Sequence, residues 1–193
     1  MTRVGLAWLV RSGVLLGVAS AAFAQALSPG RLQRLLQDAP HADVRFTELR
    51  ESRWLAVPVE SSGSMRSTAT MLEKRVEQRR PEIWRILSDR MQVSTPGSDG
   101  VKEILLDQAP AAAALANTLR RVMAGDLDAL VKDFRLELSG DEREWSLQLT
   151  PRHPDVARQI KQIGVQGAGR RLSVIVILES RGDRTTTRLH YPE

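Results

Sequence analysis

Hydrophobic positions along this chain recur with two different periods, and the switch between them marks out its parts. From residue 43 to 107 apolar and polar residues mostly alternate, the period-two signature of half-buried strands. Val44 and Phe46 open a first strand, and Leu55, Val57 and Val59 a second, with Glu51-Ser52-Arg53 as the turn between them. Pro58 inside the second predicts an edge position or a bulge, because proline cannot donate to a ladder. Residues 61–64 read as a turn by composition, 65–71, 72–78 and 83–91 as strands, and 95–100 as the turn before a strand over 101–107. The period then becomes three-and-four. Across 110–123, Leu115, Leu119, Val122 and Met123 form one helical stripe, with Arg120 and Arg121 turned away. Gly125 stops this helix, and Asp126 caps a second in which Leu127, Leu130, Val131 and Phe134 continue the spacing.

Alternation resumes at once. Residues 134–138 and 145–149 flank the polar stretch 139–144 as a hairpin, Pro154 and Asp155 start a helical turn, and 160–166, 172–180 and 185–191 predict three closing strands. The run 174–178 is apolar at every position, so its strand should be central and covered on both faces. One further helix precedes all of these: Ser28 supplies a capping hydroxyl, Pro29 the first helical position, Leu32, Leu35 and Leu36 the stripe, and Pro40 the end. A helical pair with one apolar face, set among strands, must lie on something. The pattern places it across the concave side of a curved antiparallel sheet, as the roof of a hydrophobic pocket.

The first 24 residues change the picture of location. Arg3 and Arg11 precede an uncharged run over 12–23 that ends in Ala22-Phe23-Ala24, which reads as a signal peptide over 1–24 cleaved after Ala24. Arg11 interrupts the apolar span, which falls short of the roughly 20 residues a membrane anchor needs. The mature chain, 25–193, is long enough for one domain, and loss of Arg3 and Arg11 takes the net charge from +5 to +3. Its charges alternate in sign and its aromatics are few, so no basic stripe with stacking platforms exists for nucleic acid. With no cysteine there is no disulfide, thiolate metal site or cysteine nucleophile.

Candidate chemistry is sparse. His41, His153 and His190 stand beside prolines or near the C-terminus, at no metal-ligand spacing. Gly63-Ser64 lacks the frame of a nucleophile elbow. Gly164, Gly167 and Gly169 have the wrong order for a phosphate loop, and Arg181-Gly182-Asp183 is a turn signal between strands. Asp141, Glu142 and Glu144 read as a solvated hairpin tip, and Asp89 with Arg90 or Glu103 is the weak polar cluster an enzyme reading would use. We therefore expect no enzyme, no cofactor and no metal. What remains is apolar surplus, including Trp84, Trp145, Phe46 and the methionines, suited either to an ordinary core or to an adaptable lipid pocket.

A series of residues spread over nearly the whole mature chain bears on that choice: Ser62-Gly63-Ser64-Met65, Leu72-Glu73-Lys74, Gly125-Asp126-Leu127, Leu130, Phe134, Leu138-Ser139-Gly140, Trp145 to Pro151, Ile163, Gly167, Glu179 and Gly182-Asp183. In this order they resemble the LolA-like periplasmic outer-membrane lipoprotein carriers, as a divergent paralogue. The resemblance implies an α+β fold: an incomplete antiparallel β-barrel with helices as a lid over a hydrophobic cavity. It implies a monomer that takes acyl chains of a lipoprotein or related lipid from an inner-membrane donor complex to an outer-membrane acceptor through the periplasm. On this reading the lipid-binding residues are Phe46, Val57, Val59, Met65, Trp84, Ile86, Leu115, Leu119, Met123, Leu136, Leu138, Leu147 and Leu149. The family's lid-closing Arg-Pro pair aligns with Ala69 and Thr70, which leaves Arg66 or Arg75 to substitute. The alternative is a periplasmic scaffold of the same fold with a filled core.

Overall fold

The computed structural model describes residues 26–39, 43–68, 70–78, 80–97 and 99–192; the signal segment, Pro40, His41 and Ala69 lie outside them. Its frame is one antiparallel sheet, strongly curved and unclosed, in which the described residues supply eleven strands. These are β1 (Val44–Glu51), β2 (Val59–Ser67), β3 (Leu72–Val76), β4 (Glu82–Ile86), β5 (Arg90–Ser94), β6 (Val101–Leu105), β7 (Phe134–Gly140), β8 (Trp145–Pro151), β9 (Ile160–Ala168), β10 (Arg171–Glu179) and β11 (Arg184–His190). Their order is β6-β5-β4-β3-β2-β1-β11-β10-β9-β8-β7, two meanders joined where the first strand pairs with the last. The chain between the edge strands β6 and β7 holds α2 (Pro110–Met123) and α3 (Leu127–Leu130).

The helices form where their caps and stripes dictate. Ser28 accepts from the Arg31 amide at the start of α1 (Pro29–Gln37), and Leu32, Leu35 and Leu36 are buried. This helix closes one end of the curved sheet: the Leu27 amide donates to Gly140 O and Arg31 pairs with Glu142 in the β7–β8 turn. Gly125 ends α2 with φ +67°, and a Cβ there would lie 2.7 Å from the Gln37 nitrogen, so the α1–α2 approach also requires glycine. A fourth short helix, α4 (Pro154–Ala157), begins at the predicted Pro154-Asp155.

Five expectations need correcting. Residues 61–64 are strand, because small residues there let the Phe46 ring lie over the concave face; Gly63 is paired with Phe46, and a Cβ on it would sit 1.8 Å from Arg75 O. The strand over 83–91 is two, β4 and β5, since Ile86 and Met91 pair across a turn closed by Leu87 N–H to Arg90 O. Leu55 and Val57 belong to an exposed loop, as the ladder resumes only after Pro58. The second helix ends at Leu130, and Phe134 opens β7. Finally, β10 is interior to the sheet, but only Ile175 in its run is buried; Val176 and Leu178 are half-covered on the convex face beside Gln148, Gln162 and Gln166.

Candidate functional site: the concave face beneath the long helix

Register decides which side chains share the concave face. From Phe46 paired with Leu189 and Gly63, one face follows through Met65, Leu72, Lys74 and Val76 into Trp84, Ile86, Met91 and Ile104 on one side. On the other it runs through Thr187, Ile175, Ile177, Val165, Ile163, Leu147, Leu149, Leu136 and Leu138. The period of two makes this assignment all-or-none along each strand. Toward α1 this face is fully enclosed, with Phe46, Met65, Trp145 and Leu147 among the most buried side chains. Trp145 lies across Gly167 and donates from its indole to Gly169 O. Toward the opposite end, Val59 and Ile177 are only half-buried, as is Trp84 on β4.

Helix α2 lies over this surface on two stripes. Leu115, Thr118, Leu119 and Val122 meet Ile163, Val165, Ile175 and Ile177 around an all-apolar cavity of about 10 Å³. Ala116, buried with Leu72, Ile86, Met91 and Leu106, seats the other side, and Leu119 and Met123 touch both clusters. Thr118 faces the apolar cavity without an unmet hydroxyl because it donates back to Ala114 O at 2.6 Å. The ties that hold α2 are local to it. Arg121 donates to Ala129 O at 2.7 Å; outside α2, Arg152 at the end of β8 donates to Val131 O and Phe134 O, both at 3.1 Å, stapling the turn between α3 and β7.

Arg120 and Arg121 are therefore not simply turned outward, as the stripe alone implied: both Nε atoms are shielded from solvent without a partner. Burial, then the charge of Arg121, pulls the Arg120 guanidinium below its ordinary value. Neither proposed substitute for the lid-closing arginine faces α2. Arg66 pairs with Asp43 at 2.5 Å and Arg75 with Glu73 at 3.1 Å, both on the convex face.

Of the thirteen residues assigned to lipid, Phe46, Val59, Met65, Trp84, Ile86, Leu136, Leu138, Leu147 and Leu149 do lie on the concave face, and Leu115, Leu119 and Met123 on the helix above it. Val57 does not; it is 71% exposed. Sequence reasoning left out Thr118, Val122, Ile163, Val165, Ile175 and Ile177, which line the cavity itself; Val122 was in the helical stripe, and the other sheet positions alternate along their strands. It also left out a charged pair on the floor. Lys74 Nζ and Glu48 Oε2 are 2.7 Å apart, Thr187 donates to the same carboxylate oxygen at 2.7 Å, and the ammonium stands 4.8 Å from the Phe46 ring centre.

The other candidates are placed away from this face. His190 contacts Thr47 on the convex side, and His153 lies 3.6 Å from Asp133 at the surface. Arg90 joins Asp89 and Glu103 on the convex side, so the cluster an enzyme would use does not reach the cavity. Asp141 accepts from the Arg143 and Glu144 amides, as a hairpin tip does, and these bonds hold its carboxyl below the usual range. Among the described residues no group of acidic or histidine side chains has the arrangement of a metal site, and no helix is long and apolar enough to cross a membrane.

A family model described as outer membrane lipoprotein carrier protein LolA-like matches residues 21–191. No curated protein matches. Similar solved structures include a LolA superfamily protein from Nitrosomonas europaea, 10% identical over 86% of this chain and 93% of that one, with a TM-score of 0.45. Another is a putative outer membrane lipoprotein-sorting protein domain from Vibrio parahaemolyticus, 9% identical over 83% and 88%, with a TM-score of 0.47. At these scores the two likenesses add nothing to what the family match carries.

Proposed function

This chain belongs to the LolA-like family of outer membrane lipoprotein carrier proteins, and from that premise we propose that it is an exported, single-domain carrier. On this reading the signal over 1–24 is cleaved, the mature chain works in the periplasm as a monomer, and acyl chains of a lipoprotein or related lipid bind beneath α2. They are received from an inner-membrane donor and surrendered to an outer-membrane acceptor. The observation that supports it is an apolar concave face covered by a helix whose polar ties are made within its own segment rather than to the sheet. Such a cover can lift without breaking the ladder beneath it.

An acyl chain needs far more room than about 10 Å³, since ligand pockets typically enclose about 300–1,000 Å³. Binding therefore requires α2 to move. Each methylene buried contributes about 0.8 kcal/mol, so a long chain offsets a lid displacement of several kcal/mol. Lys74, Glu48 and Thr187 then offer a partly buried charged cluster on the floor, suited to an ester or amide at the head of the chain.

The small cavity also favours a second reading, a scaffold with a permanently filled core. Native mass spectrometry on the exported protein purified without detergent, followed by organic extraction and titration with a fluorescent fatty acid, separates the two. A bound mass that extraction removes, or saturable uptake by the extracted protein, supports the carrier. A clean apo mass with no uptake leaves the scaffold.

A further inference from the structure

Among the described residues, three of the six large apolar side chains left exposed cluster in one short loop that the cargo reading does not use. Residues 52–58 join β1 to β2, and within them Trp54 is 76%, Val57 71% and Leu55 39% exposed. The loop is not loosely held. The Trp54 amide donates to Ser52 Oγ at 3.3 Å, the Leu55 amide to Ser52 O at 3.0 Å, and Pro58 stiffens the return into β2. Presenting an indole and two aliphatic side chains to water on an ordered tip is a cost the fold does not recover internally. Arg53 lies over the Trp54 ring, 4.8 Å from its centre, and Arg50 and Arg184 flank the tip on neighbouring strands, against Glu51 and Glu60.

We propose that this loop is a membrane-interface tip, which seats Trp54, Leu55 and Val57 among lipid headgroups and upper acyl chains while Arg50 and Arg53 meet lipid phosphates. Tryptophan suits that boundary because its ring is amphipathic, with an apolar body and one N–H donor. Arginine suits it because its planar fork matches phosphate. The tip stands at the end of the sheet opposite α1, next to the half-buried Val59, so docking turns the less covered end of the concave face toward the bilayer. Membrane docking does not depend on what binds beneath α2, and its test is separate from lipid uptake.

The test is flotation of the exported protein with phosphatidylethanolamine vesicles with and without phosphatidylglycerol, repeated with vesicles whose lipids carry brominated acyl chains. The expected result is vesicle binding strengthened by the anionic lipid, weakened at least about tenfold in W54S/L55S/V57S, and accompanied by quenching of Trp fluorescence. Trp145 is enclosed and Trp84 half-buried, so the quenched signal should come from Trp54. W54F should keep most of the binding and lose the quenching. An unchanged thermal midpoint in the triple variant confirms that the loop, not the fold, was altered. Vesicle binding that is absent, or that survives the triple substitution, overturns the proposal. So does concentration-dependent self-association that the substitutions abolish without any vesicle binding, which would make a second copy the occupant.

Discussion

Replacing Ala116 by glycine tests whether α2 is a lid, because it loosens the helix without removing any side chain that lines the cavity. Ala116 is 3% exposed and packs on Leu72, Ile86, Met91 and Leu106, on the side away from Ile163 and Ile175. A glycine inside a helix costs about 1 kcal/mol relative to alanine. The lost methyl burial costs about 0.8 kcal/mol more. If α2 swings away as an intact helix, only the burial part separates closed from open, and the open population rises about fourfold. If α2 unwinds as it opens, both parts count, about 1.8 kcal/mol together, and the rise is about 20-fold. Apparent affinity for a fatty acid scales with the fraction of protein in the binding-competent state, so the dissociation constant should fall by the same factor. Titration with a fluorescent fatty acid gives that number, and amide hydrogen exchange gives the opening directly, faster in α2 and unchanged in β9 and β10. Affinity unchanged or weakened, with exchange accelerated uniformly across the sheet, would refute a separately opening lid and make α2 part of a single core.

Other positions make independent tests. Gly167→Ala should lower the urea midpoint by the equivalent of about 1–3 kcal/mol or more, because the new Cβ would meet Trp145 Cζ2 at 2.3 Å and Arg171 O at 2.4 Å; the emission of Trp145 should shift with it. Lys74→Met should cost about 1–3 kcal/mol in urea unfolding by stranding Glu48 on the concave floor, and the double variant E48Q/K74M should recover part of it. Glu73 feels burial pushing it up and, more strongly in sum, hydrogen bonds from Arg75 and Arg85 pulling it down, so its folded value lies below the ordinary 4.5. That stabilisation is complete above the unfolded value and disappears as pH falls through the folded one. E73Q should therefore be less stable than the parent by about 0.5–1 kcal/mol at neutral pH and equal to it in acid, as read from denaturation midpoints across pH.

Where local signals agreed with tertiary packing, the chain was legible. Ser28-Pro29 and Gly125 bound their helices as caps do, and the alternation in 145–149 put Leu147 and Leu149 on one face, which is the buried one. Errors arose where composition stood in for packing. Ser61–Ser64 looks like a turn only until Phe46 is laid over Gly63, a contact between strands that no local window contains. Ile86 and Met91 kept their apolar face through a reversal at Asp89, so one strand and a hairpin gave the same pattern. Val57 was counted with the pocket because it keeps the period of Val59, though the ladder had already ended. The Glu48–Lys74 contact spans two ladders and depends on register, which periodicity cannot supply. Arg66 and Arg75 do not serve as lid-closing substitutes because register sets both on the convex face, away from α2.

The pairing of β1 with β11 has a consequence for how the molecule is made. Each meander, β1 to β6 and β7 to β11, is built from hairpins between chain neighbours and can zip as soon as its residues are free. The seam between them joins Phe46 to Leu189, residues from the first and last strands of the sheet, and contacts so distant in sequence are the slow ones. A chain emerging N-terminus first therefore carries β1 with one side unpaired until β11 is released. During that interval Phe46 has Gly63 beside it but not Leu189, and the apolar faces meant to meet are open to any other hydrophobic chain nearby. Truncation by even the final strand would leave that seam permanently unmade.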